Sequence, residues 1–202
     1  MLVGFGPFIA GQIWNCIQSG RTEISNGGMI GFTAAELVLL AVVLWVGKIR
    51  GWSLATMGFK CSWNGTVAGV FLFVVAEVAM IGVGMLVKLI HPAQPRFGAH
   101  QLAVSFVLLL SFINPVYEEG LQAGYFIHAL QRFGMWPVVL ASALFRAFYH
   151  LQFGINTALS LFAFGLIFGF AYWRWRQLWP LIVAHSLCDI VGLLYASYHH
   201  PA

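Results

Sequence analysis

Charged side chains are scarce in this chain of 202 residues. Only 8% of the residues are Asp, Glu, Lys or Arg, whereas 60% are hydrophobic. A soluble domain carries about a quarter charged residues, so this chain has too few charges to cover a globule in water. The composition therefore excludes an ordinary soluble domain and predicts a surface that mostly faces lipid.

Cysteines are also few, and their positions exclude two further classes of protein. Cys16, Cys61 and Cys188 are odd in number and form no C-x-x-C pair. They provide neither a disulfide framework nor a zinc site by themselves. The net charge is +4, but the basic residues are scattered at the ends of apolar segments rather than clustered, which argues against nucleic-acid binding.

Long uninterrupted apolar runs dominate what remains. A membrane helix needs about 20 apolar residues, whereas a membrane barrel shows short alternating segments, so the runs predict an all-α polytopic helix bundle of about seven spans. The number could be six or eight, because 117–132 either continues the helix before it or turns back. The first run lacks a basic leader region and is interpreted as a retained span. The candidate spans are 2–18, 28–47, 65–90, 101–117, 136–154, 157–173 and 178–197.

The chain is predicted to form one domain with three parts. Residues 1–47 are N-terminal membrane helices, 48–64 are an interfacial linker that mixes cations with aromatic rings, and 65–202 are a membrane-embedded core. The side that holds the linker collects most of the cations, which places it and the amino terminus in the cytoplasm, at the cell membrane of a bacterium. The cations on that side are Lys48, Arg50, Lys60, Arg132, Arg174 and Arg176, against Arg21 and Arg96 on the other.

Ionisable residues inside the apolar runs fall into three clusters. Each charge in hydrocarbon costs at least about 2.5–3.5 kcal/mol, so each cluster requires an explanation. Residues four apart on a helix share a face, and a buried Arg must find a carboxylate or water. The clusters therefore predict one shared polar cavity with a polar lining from three helices. They are Glu118-Glu119, Arg146 with His150, and His185 with Asp189.

Each cluster also has a structural interpretation when taken alone. The two glutamates could lie at a helix end in headgroup water, His150 could be interfacial, and His185 and Asp189 could form a structural hydrogen bond along their helix. The joint occurrence on three helices favours a functional site. Other polar intruders have weaker support: structural roles are expected for Glu36 and Glu77, and cavity-lining roles are possible for Gln122, His128 and Asn156.

The ordered motifs resemble the CAAX prenyl protease and bacteriocin-processing family of membrane-embedded Abi proteins, over about residues 50–197. Members of that family share the motifs EExxxR, F/RxxxH and HxxxN/D, in this order. The similar residues here are Glu118-Glu119, 146–150 and 185–189. One position departs from the series, because Ala123 stands where the first motif ends in Arg. Our hypothesis is that Arg146 supplies the missing guanidinium from the next helix.

The resemblance implies a glutamate-type intramembrane endopeptidase that needs no metal or other cofactor. Glu118 would be the general base, and His150 would hold and polarise the water. His185 and Asp189 would face the carbonyl side, with Asp189 orienting His185 so that His185 donates to the oxyanion. Glu119 would be a structural partner. The implied substrate is a membrane protein or a lipidated peptide.

Three alternatives remain open at this stage. Two histidines and a carboxylate could instead bind zinc with an open position, although no HExxH is present. Because of Ala123, the chain could be a proteolytically impaired family member that acts as a scaffold or regulator of a partner protein. Intramembrane carboxylates and histidines also occur in proton-coupled transporters, although the sequence shows no inverted repeat.

Overall fold

The structure is a computed structural model, and it describes residues 22–92, 97–99 and 101–199. The predicted span at 2–18 lies outside these residues, as do Arg21 and Arg96. Six helices form the described part of the chain. They are α1 (Asn26–Ile49), α2 (Trp63–Ile90), α3 (Val104–Glu119), α4 (Met135–Tyr149), α5 (Ile155–Trp175) and α6 (Trp179–His199).

A short parallel strand pair qualifies the all-α prediction. Strand β1 (Thr22–Ile24) pairs with β2 (Phe97–Ala99) just before α1 and α3 begin. The Asn26 side chain at the start of α1 also accepts a hydrogen bond from the Ala103 amide at the start of α3, at 2.9 Å. The pairing therefore joins the beginnings of α1 and α3, which pack side by side in the same direction.

Five helical segments are long and apolar enough to cross a membrane. They are α1, α2, the segment Val104–Phe133, α5 and α6. Large apolar side chains are exposed on the outer surface of α2, where Phe71 and Val78 are 66% and 67% exposed. Apolar side chains on this scale at the surface mark contact with lipid. The chain is thus an integral membrane protein, and α4 is a shorter apolar helix within it.

The segment at 117–132, which the sequence left ambiguous, continues α3. After Glu119 the backbone becomes π-helical over Gly120–Ile127, then makes one α-helical turn and a 3₁₀ turn that ends at Phe133. Pro115 lies inside α3. The predicted span 101–117 is therefore part of a much longer segment, and the change in helical pitch falls directly after the acidic pair.

Glycines allow the helices of the core to approach closely. A methyl group at Gly69 of α2 would lie 2.7 Å from the Val183 side chain and 2.8 Å from the Pro180 carbonyl of α6. At Gly165 of α5 it would lie 2.8 Å from the Ala143 Cα of α4. Small residues at helix contacts are the usual way to bring membrane helices together.

The linker between α1 and α2 folds against one end of the bundle. The Met57 side chain is buried in the main apolar core, and the Tyr172 hydroxyl donates a 3.0 Å hydrogen bond to the Met57 carbonyl. The Leu178 amide donates to the Gly58 carbonyl at 2.9 Å. The linker is therefore fixed to α5 and to the start of α6. The division at 48 and 64, and the cytoplasmic orientation, remain predictions from the sequence.

Candidate active site

The two adjacent glutamates end α3 in the interior of the bundle. Glu118 is 5% exposed and Glu119 is 1% exposed. The π-helical segment begins at the next residue, Gly120. A π-helical turn widens the backbone and is frequent at functional sites. Both carboxylates therefore lie away from bulk water, where each needs a partner.

Arg146 of α4 is that partner for both carboxylates. Its Nη1 atom lies 3.1 Å from Glu118 Oε2, and its Nη2 atom lies 2.6 Å from Glu119 Oε1. The guanidinium also lies over the Phe164 ring, 4.8 Å from its centroid. The pairing of Arg146 with the two glutamates, predicted from the cost of a buried cation, is confirmed. One guanidinium fork thereby holds two carboxylates in a fixed relative position.

Two neutral side chains extend this network on the side of Glu118. The Tyr149 hydroxyl donates to Glu118 Oε2 at 2.7 Å and accepts from Gln122 Nε2 at 2.6 Å. The sequence indicated Gln122 only as a possible cavity residue and did not single out Tyr149. A tyrosine in an apolar run gives no signal by itself, although its place directly before His150 could have drawn attention.

His185 of α6 connects Glu119 to Asp189. Its Nδ1 atom lies 2.8 Å from Glu119 Oε1, and its Nε2 atom lies 3.5 Å from Asp189 Oδ1. The amide of Asn114 in α3 donates to the other oxygen of Asp189, at 2.9 Å. The predicted contact between His185 and Asp189 is present, but both ring nitrogens of His185 face carboxylates. Asn114 was not among the site residues predicted from the sequence.

His150 follows the last residue of α4. Its Nδ1 atom lies 3.1 Å from the carbonyl oxygen of Arg146, one turn earlier. A carbonyl can only accept, so Nδ1 carries the proton and Nε2 is left for the cavity. The predicted span 136–154 ends earlier than expected, because α4 stops at Tyr149 and a 3₁₀ turn follows at Leu151–Phe153. The early end accounts for the position of His150 inside the bundle.

Two cavities meet at this network. One has a volume of about 400 Å³ and is lined by Glu118 and Tyr149. The other has a volume of about 320 Å³ and is lined by Arg146 and His185. Asn114, His150 and Asp189 line both cavities. The sequence predicted a shared polar cavity for the three clusters, and these two adjoining spaces bring the clusters together.

Ala123, the position that departs from the family series, lies in the apolar core. It is 2% exposed and belongs to the same buried cluster as Ile127 and Phe164. The Arg146 guanidinium is placed against the Phe164 ring of that cluster. Position 123 therefore lies in the apolar core, and the positive charge beside the two glutamates comes from α4.

The remaining polar intruders are distributed differently. Glu36 of α1 is fully buried, and neither of its oxygens has a hydrogen-bond partner among the residues that the structure describes. Glu77 of α2 lines the smaller cavity and interacts with the buried thiol of Cys188. The His128 ring packs on Trp52, with centroids 5.0 Å apart. Asn156 donates to the carbonyl of His91 at 3.3 Å, toward the end of α2.

A metal centre does not assemble among the described side chains. In residues 22–92, 97–99 and 101–199, no group of three His, Cys, Asp or Glu residues is placed to bind an ion. The reason is visible in the contacts: the glutamates bind Arg146, and both nitrogens of His185 face carboxylates. Of the donors that the zinc alternative requires, His185 is thus engaged by carboxylates.

Comparison with models of known protein families finds a match for part of the chain. Residues 100–191 match the family model described as "Type II CAAX prenyl endopeptidase Rce1-like". No curated protein and no solved structure matches the chain. The matched range contains all three ionisable clusters and ends just after Asp189, and it excludes α1 and α2.

Proposed function

We propose that this chain, whose residues 100–191 match the Rce1-like CAAX prenyl endopeptidase family model, is an intramembrane endopeptidase that uses a water activated by Glu118 and His150. The observation that carries the proposal is that both side chains line one cavity inside the bundle. The substrate class is a membrane-associated protein or a lipidated peptide.

Glu118 is the general base of the proposed reaction. The hydrogen bonds that it accepts from Arg146 and Tyr149 both end on Oε2. Its Oε1 atom accepts no hydrogen bond from the described part of the chain and can accept one from a water in the cavity. The base takes a proton from this water as the oxygen attacks the peptide carbonyl. When the C–N bond breaks, the same carboxyl returns the proton to the leaving nitrogen.

His150 holds the attacking water from a second direction. Because its Nδ1–H is directed at the carbonyl of Arg146, Nε2 can accept the other hydrogen of the water. Two acceptors on one water orient a lone pair toward the substrate carbonyl, which reduces the entropy lost in reaching the transition state.

Asn114 provides a donor for the tetrahedral oxyanion. One hydrogen of its amide is directed at Asp189, and the side chain lines both cavities, so the second hydrogen is available to a substrate oxygen. The sequence-based expectation gave this role to His185. We assign it to Asn114 because both nitrogens of His185 are directed at carboxylates. A positioned donor of this kind contributes about 10²–10³ in kcat.

Glu119, Arg146, His185 and Asp189 are positioning residues in this mechanism. Arg146 fixes Glu118 and Glu119 together, and His185 joins Glu119 to Asp189. The series of contacts ends on Asn114. Side chains of α4 and α6 thereby fix the positions of Glu118 and Asn114, which both lie on α3.

The test uses purified protein in liposomes with a farnesylated CAAX peptide and the same peptide without the lipid. Glu118→Gln and His150→Gln should each abolish cleavage that the wild type performs. His128→Gln is the matched control for the second variant, because His128 lies outside both cavities on Trp52. Cleavage by Glu118→Gln at the wild-type rate would contradict the proposal.

A comparison in cells distinguishes the proposed proteolytic function from a role as a scaffold. Membrane proteins from cells that carry wild type, Glu118→Gln or no copy of the chain are compared for uncleaved precursors. Precursors that accumulate equally in the variant and the deletion support proteolysis. If Glu118→Gln and His150→Gln both restore the wild-type cell while the deletion does not, the chain acts as a scaffold.

A further inference from the structure

A layer of polar side chains interrupts the apolar contact between α1 and α3. Its members are Glu36 on α1 and Ser111 and Asn114 on α3. Glu36 is 0% exposed and Ser111 is 1% exposed. Glu36 Oε1 and Oε2, Ser111 Oγ and Asn114 Oδ1 all lack a hydrogen-bond partner among the described residues. Glu36 and Ser111 have no part in the mechanism described above.

The apolar contacts on either side show that these groups lie at one level. Toward the start of the helices, Met29 of α1 packs in one cluster with Val107 and Leu110 of α3. Toward their ends, Val43 of α1 packs in another cluster with Tyr117 and Leu121 of α3. Since α1 and α3 run in the same direction, Glu36 falls between these clusters, level with 111–114.

Buried polar atoms without partners are costly in a membrane protein. A hydroxyl or amide without a hydrogen bond loses about 1–3 kcal/mol in protein interiors, and an unpaired carboxylate loses far more. A buried water usually makes two to four hydrogen bonds to polar groups, so one or more waters could satisfy the four unpaired atoms of this layer. Hydroxyl, amide and carboxyl oxygens are suitable partners for such a water.

The layer adjoins the catalytic cavity. On α3, Ser111, Asn114 and Glu118 are spaced three and four residues apart and so lie along one face. Asn114 and Glu118 line the larger cavity. Glu36 is also close enough to interact electrostatically with Glu118 and Asp189, which both line that cavity.

We infer that Glu36, Ser111 and Asn114 form a buried water-binding site between α1 and α3, from which water reaches Glu118. The role in delivery rests on the proposed hydrolytic function, whereas the occupancy of the site by water does not. A hydrolase in a bilayer consumes one water per bond cleaved in surroundings that exclude water. A water held at Asn114, one helical turn before Glu118, would supply this reactant. Helix α1 lies outside the matched family range, so this contribution belongs to the rest of the chain.

The first experiment determines the occupant and is independent of catalysis. An experimental structure of the full chain in lipid, at a resolution that shows ordered water, should contain water between Glu36, Ser111 and Asn114. Soaking crystals in Rb⁺ tests the alternative, which is a cation bound by the same oxygen atoms. An empty layer, or anomalous scattering from Rb⁺ at this place, would overturn the inference.

The second experiment removes the site and measures turnover of the farnesylated peptide. Ser111→Val and Glu36→Leu should eliminate the ordered water and lower kcat by about tenfold or more, with KM unchanged, since the attacking water loses its position. Glu36→Gln retains a polar group of the same shape and should keep both the water and at least half of the wild-type kcat.

Ser142→Ala is the matched control, because Ser142 is a buried hydroxyl of α4 outside the layer and outside both cavities. Its kcat should equal that of the wild type. Ser111→Ala, which adds no volume, replaces Ser111→Val if the larger side chain lowers the melting temperature. Wild-type kcat in Ser111→Ala and Glu36→Leu would refute delivery. If the wild type cleaves no peptide, the proposed function fails while the structural experiment still decides whether water is bound.

Discussion

Arg146 balances two buried carboxylates with a single positive charge. Arg146 is 1% exposed, and its guanidinium contacts both Glu118 and Glu119. Removing one partner of a buried ion pair typically costs about 3–5 kcal/mol, because the other charge is left uncompensated. Here two charges would be left, so Arg146 determines both the stability of the site and the position of the base.

Arg146→Met should abolish activity and lower the melting temperature, because both glutamates lose their cation. Ala123→Arg in the same background should restore part of the activity, since position 123 lies four residues after Glu119 on the same continuous helical segment. The measurements are peptide cleavage in liposomes and thermal unfolding of the purified protein. Full activity in Arg146→Met alone would show that the guanidinium is dispensable.

Tyr149→Phe removes one hydrogen bond to Glu118 and leaves the ring in place. We expect kcat to fall by about 5–150-fold, which corresponds to about 1–3 kcal/mol for an unsatisfied buried partner. Tyr125→Phe is the control, because Tyr125 packs in the same apolar cluster and donates no hydrogen bond to Glu118. Equal losses in the two variants would point to packing rather than to the hydroxyl.

Charged site residues were predictable from the sequence, and neutral ones were not. Glu118, Glu119, Arg146, His185 and Asp189 stand out because a charge in an apolar run is expensive. Asn114, Tyr149 and Ser111 carry no such cost and are common in membrane helices. Their importance arises only from the neighbours that the fold gives them.

At the scale of the elements, the sequence predicted helices well and irregular backbone poorly. Apolar runs gave the positions of α1, α2, α5 and α6 to within a few residues, since length and hydropathy determine a span. The π-helical segment at Gly120–Ile127 has no periodicity that a short window would reveal. The pairing of β1 with β2 was missed because three-residue strands show no alternation.

Helix contacts give a prediction at this scale. Gly69→Val should destabilise the protein by about 1–3 kcal/mol, the usual cost of overpacking, because its side chain would collide with Val183 and Pro180. Gly82→Val on the same helix is the control, because no atom lies within 4 Å of a methyl group placed there. Thermal unfolding in detergent measures both. Equal melting temperatures would show that α2 and α6 can separate without loss.

At the scale of the whole molecule, the contacts among the charged residues predict that peptide cleavage does not depend on a bound metal ion. Glu118 and Glu119 bind Arg146, and His185 contacts Glu119. Peptide cleavage should therefore persist after prolonged treatment with a strong chelator, followed by assay in metal-free buffer. Loss of cleavage that added Zn²⁺ restores would instead favour the zinc alternative.

The short helix α4 has a consequence for the bilayer around the protein. Its 15 residues measure about 22 Å at 1.5 Å per residue, whereas a hydrocarbon core is about 30 Å thick. Lipids beside α4 adjust to such a mismatch by thinning locally. His150 stands at the end of this helix and lines both cavities. In the proposed reaction, local thinning on this flank would shorten the path of a membrane-anchored substrate from the headgroups to His150.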